Sequence, residues 1–474
     1  MGQEISLTLF TEDSFNEYNR RLVQEAELLH SKLSKGGFSD RGEICGYELE
    51  SWLIDHNYFP SPINREFLTQ LNNPLVVPEL SRFNVELNGQ PLPLQGRALT
   101  YMAQELNQTW QQCQEQAHKL DSTLLMIGIL PTIRQKDLCL ANMSELKRYR
   151  ALNEQVFARR AGRPIRIRIE GRERLCLDHP DLMLEAATTS FQIHLQTAQR
   201  DAVRYFNAAL ISAGPLVAAS GNSPFLFNAD LWDETRIPLF EQSVEIGDNA
   251  SQENRRVSFG RGYAFESLFE CFDDNISTHK VLLPILMDTP PDLFAHLRLH
   301  NGTIWRWIRP LIGFDSDRTP HLRIEQRVLP AGPSILDMVA NAALYFGLSR
   351  FLATLRDAPE AVFGFENARH NFYAAARLGL QAKLSWLDGS LTDARTLLLD
   401  ELLPMARHGL KMLDIHTDDI NFYLDLMKTR IQSKQTGTAW QRSYREKYNT
   451  DNLHLVAAYL ERQRSGAPVH EWDI

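Results

Sequence analysis

The sequence predicts an α+β fold: a largely antiparallel sheet with helices packed on its apolar side. Two observations predict it. Over the first 356 residues, segments of helical periodicity alternate with segments of two-residue alternation, the pattern of a sheet layered against helices. Four of the strand-like segments also share a texture, one face apolar and the other studded with acids, amides, arginine and histidine. Side chains alternate faces along a strand, so residues of equal parity point the same way.

Residues 13–34 place Phe15, Tyr18, Leu22, Ala26 and Leu29 on one helical stripe, with Asp13 as the expected N-cap and Lys35-Gly36-Gly37 as the stop. Residues 44–54 read as a strand with Glu48 and Glu50 on one face. Pro60, Pro62, Pro74, Pro78, Pro91 and Pro93 mark a loop-rich stretch around strand 81–88. In that strand Arg82, Asn84, Glu86 and Asn88 oppose Phe83, Val85 and Leu87. Residues 97–120 read as a helix, 123–129 as a buried strand ending before Pro131, and 142–160 as a polar helix. Ile165, Ile167 and Ile169 alternate with Arg166 and Arg168, and Gly171 turns this strand toward residues 175–177. The result is a hairpin with a basic face, either solvated or set against phosphates.

Strand 190–197 sets Ser190, Gln192, His194 and Gln196 opposite Phe191, Ile193 and Leu195, and an apolar helix over 199–219 runs into Ser220-Gly-Asn-Ser-Pro224. Residues 225–300 are the least regular, with short helices expected near 264–272 and 290–299. Strands 304–312 and 321–328 follow. The second sets His321, Arg323, Glu325 and Arg327 against Leu322, Ile324 and Val328. A helix over 334–356 leads into a remainder that reads as helical from Pro359, broken at Gly389, Pro404 and Gly437. The expected organisation is an N-terminal helix (1–36), a main domain (37–357) and a helical C-terminal region (358–474) packed on that domain.

A net charge of −9 over 474 residues argues against a nucleic-acid partner. The chain has no run of 18 apolar residues and no basic, apolar leader at its start, so neither a membrane span nor export is expected. The five cysteines, Cys45, Cys113, Cys139, Cys176 and Cys271, are odd in number and include no CxxC pair. That pattern suits a reduced cytoplasm and carries no zinc or redox signal. Cys45 has the opposite parity to Glu48 and Glu50, which places it toward the core.

The polar faces carry the chemistry. Glu48 and Glu50 lie about 7 Å apart along one strand face, close enough to bracket one cation or bridge two. Glu79 and Glu86 differ in parity, so Glu79 is expected from the loop after Pro78. His194 is either a hydrogen-bonded strand residue or a neutral nitrogen ligand. Glu325 is flanked by Arg323 and Arg327. Packed carboxylates repel one another and take up protons unless a cation lies among them, and Mg2+ selects carboxylates together with phosphate oxygens. No GxxxxGK[ST] loop is present, so a bound nucleotide would rest on metals and the sheet. No HExxH motif or histidine cluster points to a zinc hydrolase.

These residues also carry a resemblance. GYELESWLID at 46–55, PELSRFNVEL at 78–87, Arg148-Tyr149, LEAATTSFQIHLQ at 184–196 and SGNSPF at 220–225 with Arg236 beyond it come first. WRWIRPL at 305–311 and HLRIEQRVLPAGPSILDMVANAAL at 321–344 follow. In this order they resemble the glutamate–cysteine ligase 2 (GCS2) family over about residues 40–350, and weakly through Asn371…Arg377-Leu-Gly379 and Gly437…Trp440-Gln441. The resemblance implies a catalytic domain like that of glutamine synthetase and the guanidino kinases, with the polar sheet face as the active site.

It further implies metal binding by Glu48, Glu50, Glu79, Glu86, His194 and Glu325, for two or three Mg2+ ions, or Mn2+, with ATP. Arg327 would meet the transferring phosphoryl group beside Glu325, with Arg323 also on the nucleotide. Arg236 would hold the α-carboxylate of a glutamate-like substrate, and Arg148 and Arg309 are further implied substrate contacts. Many relatives have Asp where this chain has Glu79. The implied activity is an ATP-dependent carboxylate–amine ligase that forms an amide through an acyl phosphate, as in the first step of glutathione-type synthesis, with an amine such as cysteine. Two alternatives stand beside it: a guanidino-kinase-like phosphotransferase, and a non-catalytic glutamate- or nucleotide-binding regulator. No motif identifies the acceptor amine or the oligomeric state.

Overall fold

The computed structural model describes residues 10–247, 251 and 254–474. Helix α1 (Glu12–Ser34) lays Tyr18, Leu22, Ala26, Leu29 and Leu33 on one buried stripe. The chain then enters β1 (Ile44–Ile54), where buried odd positions alternate with half-buried even ones as far as Ser51. Helix α2 (Asn64–Leu71) and strands β2 (Val76–Pro78), β3 (Asn84–Asn88) and β4 (Leu92–Pro93) follow, then α3 (Ala98–His118) and β5 (Thr123–Leu125). After α4 (Lys147–Arg159), the hairpin β6 (Ile165–Glu170) and β7 (Arg174–His179) leads to β8 (Phe191–Thr197) and α5 (Ala202–Ser220). The short β9 (Phe225–Leu226) and β10 (Ala229–Asp230) precede α6 (Arg236–Ser243), α7 (Phe269–Thr278) and α8 (Ala295–Gly302).

Strands β11 (Ile308–Phe314) and β12 (Pro320–Gln326) come next, then α9 (Ile335–Ala353), α10 (Pro359–Val362) and α11 (Phe365–Leu378). The hairpin β13 (Lys383–Ser385) and β14 (Leu391–Asp393) interrupts the helices. Helices α12 (Ala394–Leu397), α13 (Leu403–Met412), α14 (Thr417–Ser433), α15 (Gly437–Tyr448) and α16 (Asn452–Arg464) complete the order.

Eight strands form one antiparallel sheet in the order β11-β12-β8-β1-β3-β2, with β4 and β5 also paired to β1. This is the α+β arrangement expected from the alternating segments. Leu49, Val85, Leu87, Ile193, Leu195 and Ile324 are buried on the apolar face. Helix α5 packs under β11 and β12 and against α9, with α11 on α5 and with α13 and α14 on α9. Both α5 and α9 are long and apolar enough to cross a membrane, but most of each is buried inside the protein, so their composition is that of core helices. Arg430 of α14 reaches into this layer and binds Asp337 (Nη2 to Oδ1, 2.8 Å) and Asn341 (Nη1 to Oδ1, 2.6 Å) of α9.

Several elements differ from their expected bounds. The N-cap of α1 is Thr11, whose hydroxyl accepts the Ser14 N–H from an extended backbone, and Asp13 lies inside the first turn, where its charge favours the helix dipole. Strand 304–312 begins only at Ile308, because Arg306 is drawn off to Ser258 and Asp274 and Trp307 to Glu241. Helix 142–160 starts at Lys147, since Met143 instead bridges to Ser81. The prediction of helix throughout from Pro359 missed the β13–β14 hairpin, where Gly389 has a φ of +80° and the Asn371 side-chain amide bonds the Ser385 backbone twice.

Candidate active site

Strand register assembles the polar face. Gly46 of β1 lies opposite His194 of β8, and His194 opposite Glu325 of β12. Glu325 in turn faces Arg309 of β11, while Glu50 faces Glu86 of β3. Two triads result. Glu48, His194 and Glu325 bring one donor atom each within 4.8 Å of one another, and so do Glu50, Glu79 and Glu86. Glu79 enters from the chain just after β2. His194 Nε2 lies 3.2 Å from Glu48 Oε1 and 4.0 Å from Glu325 Oε1. Among the described residues neither ring nitrogen of this buried histidine has an aligned hydrogen bond.

Arginines and one glutamine tie the triads together. Arg309 grips Glu325 with two parallel bonds, Nε to Oε2 at 2.9 Å and Nη2 to Oε1 at 3.1 Å. Arg327 Nη1 binds Glu325 Oε2 at 3.0 Å and also the side-chain oxygen of Gln192. The amide nitrogen of Gln192 donates to Glu50 Oε1 at 2.9 Å, so this one side chain links Arg327 and the first triad to the second.

The two triads differ in charge. Burial would raise the carboxyl of Glu48, but His194 outweighs it and holds Glu48 down at about 2. Burial is likewise outweighed at Glu325, which Arg309 and Arg327 hold well below the usual carboxylate range. In the second triad burial prevails. It pushes Glu50 up to about 7, with Arg327 opposing and Glu86 adding to the rise. Glu79 also reaches about 7, through burial and then the charges of Glu50 and Glu185, and Glu86 is raised well above its ordinary value. Crowded, buried oxygens of this kind fit divalent cations: the five carboxylates are the hard oxygen donors that suit Mg2+ or Mn2+, and His194 adds one borderline nitrogen donor.

The remaining predicted residues surround this centre. Arg236, at the start of α6 and 2% exposed, gives Nε to Glu234 (3.0 Å), Nη1 to the Arg327 carbonyl (3.4 Å) and Nη2 to the Val328 carbonyl. It therefore braces the chain leaving β12, and its charge reaches Glu50. Arg148 bonds the Tyr149 hydroxyl (Nη2 to Oη, 2.8 Å) and acts on Glu79 and Glu86 at the second triad. Arg323 is half-buried, opposite Gln196, and its Nε has no partner among the described residues. Arg166 of the basic hairpin pairs with Asp178 on the adjoining strand at 3.0 Å, both of them exposed, which favours the solvated reading of that face.

Sequence reasoning assigned no role to Gln192, although its parity put it on the right face. It missed Glu185 altogether, whose carboxyl is pushed up to about 8 by burial and then by Glu50. Glu185 lies on a 3-10 turn, Leu182–Ala187, which has no periodic pattern to read.

Both triads, and every strand that builds them, fall within residues 44–461, the span matched by the model of glutamate–cysteine ligase family 2. The chain belongs to the GCS2 family. That membership places it among ligases of the carboxylate–amine type. Two solved structures share its fold. The glutamate–cysteine ligase of Francisella tularensis, in complex with AMP, is 14% identical, with 90% of each chain covered and a TM-score of 0.58. A bifunctional glutathione synthetase from Pasteurella multocida is 11% identical over 93% of this chain and 54% of its own, with a TM-score of 0.51. Comparison with curated protein sequences gives no significant match.

Proposed function

We propose that this GCS2 protein joins a glutamate-like carboxylate to an amine such as cysteine at the cost of ATP, through an acyl phosphate. The observation that carries the reading is Arg327, held by Glu325 and Gln192 between two three-donor clusters. In phosphoryl transfer the protein's task is alignment and neutralisation of charge, and it needs no covalent nucleophile. Bound Mg2+ would supply Lewis acidity and neutralise phosphate charge. Glu48, His194 and Glu325 would hold one ion, and Glu50, Glu79 and Glu86 another.

Arg327 would lie against the phosphoryl group as it moves from the nucleotide to the substrate carboxylate, with Arg309 and Gln192 fixing the atoms around it. Arg236 is the charge that would meet a substrate α-carboxylate, from a guanidinium already braced by Glu234 and the carbonyls of Arg327 and Val328. Arg148 and Arg323 would flank the bound substrates as further positive charges. The AMP in the Francisella ligase supports an adenine nucleotide as the phosphoryl donor.

The test is product analysis with MgATP, L-glutamate and L-cysteine. ADP and phosphate should appear in step with a dipeptide. Release of AMP and pyrophosphate would overturn the mechanism, and sustained ADP without any amide would return the reading to a phosphotransferase.

A further inference from the structure

We infer that strand β7 is the contact through which two copies of this chain pair, edge to edge, about a two-fold axis at Cys176. The hairpin β6–β7 forms a two-stranded sheet of its own, and among the described residues no strand lies on the far side of β7. The hairpin is held firmly from its other side. Ile165, Ile167 and Ile169 are buried, and α6 packs against β6. At the turn, Arg172 and Glu173 donate backbone N–H groups to the carbonyls of Leu231 (3.3 Å) and Asp230 (2.8 Å). A Cβ on Gly171 would stand 2.4 Å from the Leu231 backbone, so the turn has no room to shift.

The direction of the peptide groups along β7 follows from those of β6. Arg168 N–H binds Gln242 Oε1 at 2.7 Å, and the Glu170 carbonyl accepts the Trp232 indole N–H at 2.8 Å. The even residues of β6 therefore turn their backbone groups away from β7. Residues directly opposite in an antiparallel pair turn theirs alike, both toward each other or both outward. Arg174, Cys176 and Asp178, opposite Glu170, Arg168 and Arg166, thus present their N–H and C=O to the open edge. The Asp178 carbonyl accordingly takes a donor from outside the hairpin, Gln135 Nε2 at 3.3 Å, and keeps a second lone pair. An open edge is a template for another strand unless lysine, proline or a bulge blunts it, and β7 contains none of these.

What fits this edge is its own copy. Arg174-Leu-Cys-Leu-Asp178 is its own complement when run antiparallel about Cys176. Arg174 then meets the partner's Asp178, and Cys176 exchanges both backbone bonds with the partner's Cys176. Within the hairpin, exposed Arg166 already pairs with Asp178 at 3.0 Å and Arg174 with Glu170 at 3.6 Å. Joining the edges extends each pair into a row of alternating sign across four strands: Arg166, Asp178, the partner's Arg174, the partner's Glu170. Moving the axis to Arg174 or to Asp178 sets like charges face to face, which opposes those registers. The contact is one strand a side, the size of a reversible dimer rather than an obligate one. It lies outside the catalytic sheet and stands whatever reaction that sheet performs.

Sedimentation of the full chain from about 1 to 100 µM should show a reversible monomer–dimer equilibrium. Arg174→Asp and Asp178→Arg each place like charges at both flanking pairs, and each should raise the dimer dissociation constant about a hundredfold or more. Both positions are exposed, so unfolding should stay cooperative at the wild-type Tm. Mixing the two variants should restore the dimer, because one then carries acids at both positions and the other arginines. A short bismaleimide should join two wild-type chains, since the paired Cys176 Cα atoms would lie about 5.5 Å apart, and should not join Cys176→Ser. A wild-type protein that stays monomeric throughout would overturn the inference. So would a dimer that survives both charge reversals, a mixture that stays monomeric, or a wild-type dimer that the reagent leaves unjoined.

Discussion

Gln192 holds two opposite charges at once: its oxygen accepts from Arg327 and its nitrogen donates to Glu50. Arg327 Nη1 spends both its protons on Glu325 and Gln192, and because the guanidinium is planar those two bonds fix the plane of the whole fork. Arg327→Lys keeps the charge and loses the fork. Amide formation should drop about 10³-fold while unfolding stays cooperative; a rate within a few-fold of wild type would make Arg327 a strand residue and nothing more. At this scale much of the site is legible from parity. Counting by twos puts Glu48, Glu50, Gln192, His194, Glu325 and Arg327 on the polar faces. What each of them touches is not legible, because cross-strand neighbours follow from register. That Glu50 faces Glu86, and that His194 faces both Gly46 and Glu325, is encoded by no pattern within a single strand. Glu185 lies on a turn without period, so no counting rule reaches it.

Among the elements, β1 is matched to the residue by its alternation, and the long apolar helices are recovered within a few residues at each end, where caps decide and patterns do not. The β13–β14 hairpin escaped because three-residue strands offer too little alternation to separate from a helix turn. Helix packing is set by features equally local. Helices α9 and α13 cross where Gly347 meets Ala406 and Gly409 meets the Gly347 carbonyl, and a Cβ on either glycine would collide with backbone. Backbone cannot yield as the end of a side chain can, so Gly347→Ala must push the two helices apart. The expected loss is about 1–3 kcal/mol, read from urea unfolding midpoints at constant m. The gain that alanine ordinarily brings inside a helix, about 1 kcal/mol, would be seen instead if the crossing were slack. Since α9 backs α5, the helix that packs under β11 and β12, the variant should also weaken the response of Tm to Mg2+.

Over the whole molecule, burial of ionisable groups ties stability to pH at places far from the triads. The irregular stretch that offered no readable pattern folds around His279 and His300, both buried. Burial, reinforced by Arg306, Arg256, His300 and Arg261, lowers His279 from 6.5 to about 2. Burial lowers His300 to about 4, against the opposing bond to the Asn275 carbonyl. Asp274 binds Arg306 at 3.0 Å and Arg261 at 2.8 Å, so its charge answers those arginines and not the imidazoles. Both histidines are thus neutral in the folded protein, and each takes up a proton more readily once unfolded. The unfolded state binds more protons below about pH 6.5, so this contribution is complete above that pH and is lost progressively as pH falls toward the folded values. The raised carboxyls of Glu50 and Glu79 act in the opposite sense, since protonation near 7 relieves their repulsion. A difference between variant and wild type is therefore needed to isolate the histidines. His279→Gln keeps an oxygen that can accept from Arg306 Nη2, which bonds the ring at 3.3 Å, and removes the titration. Between pH 7.5 and pH 5 the wild type should lose about 2 kcal/mol more than the variant, at about 1.4 kcal/mol per pH unit below 6.5, measured by urea unfolding in the presence of Mg2+. Parallel pH profiles for the two proteins would mean that His279 is charged in the fold, with Asp274 turned toward it.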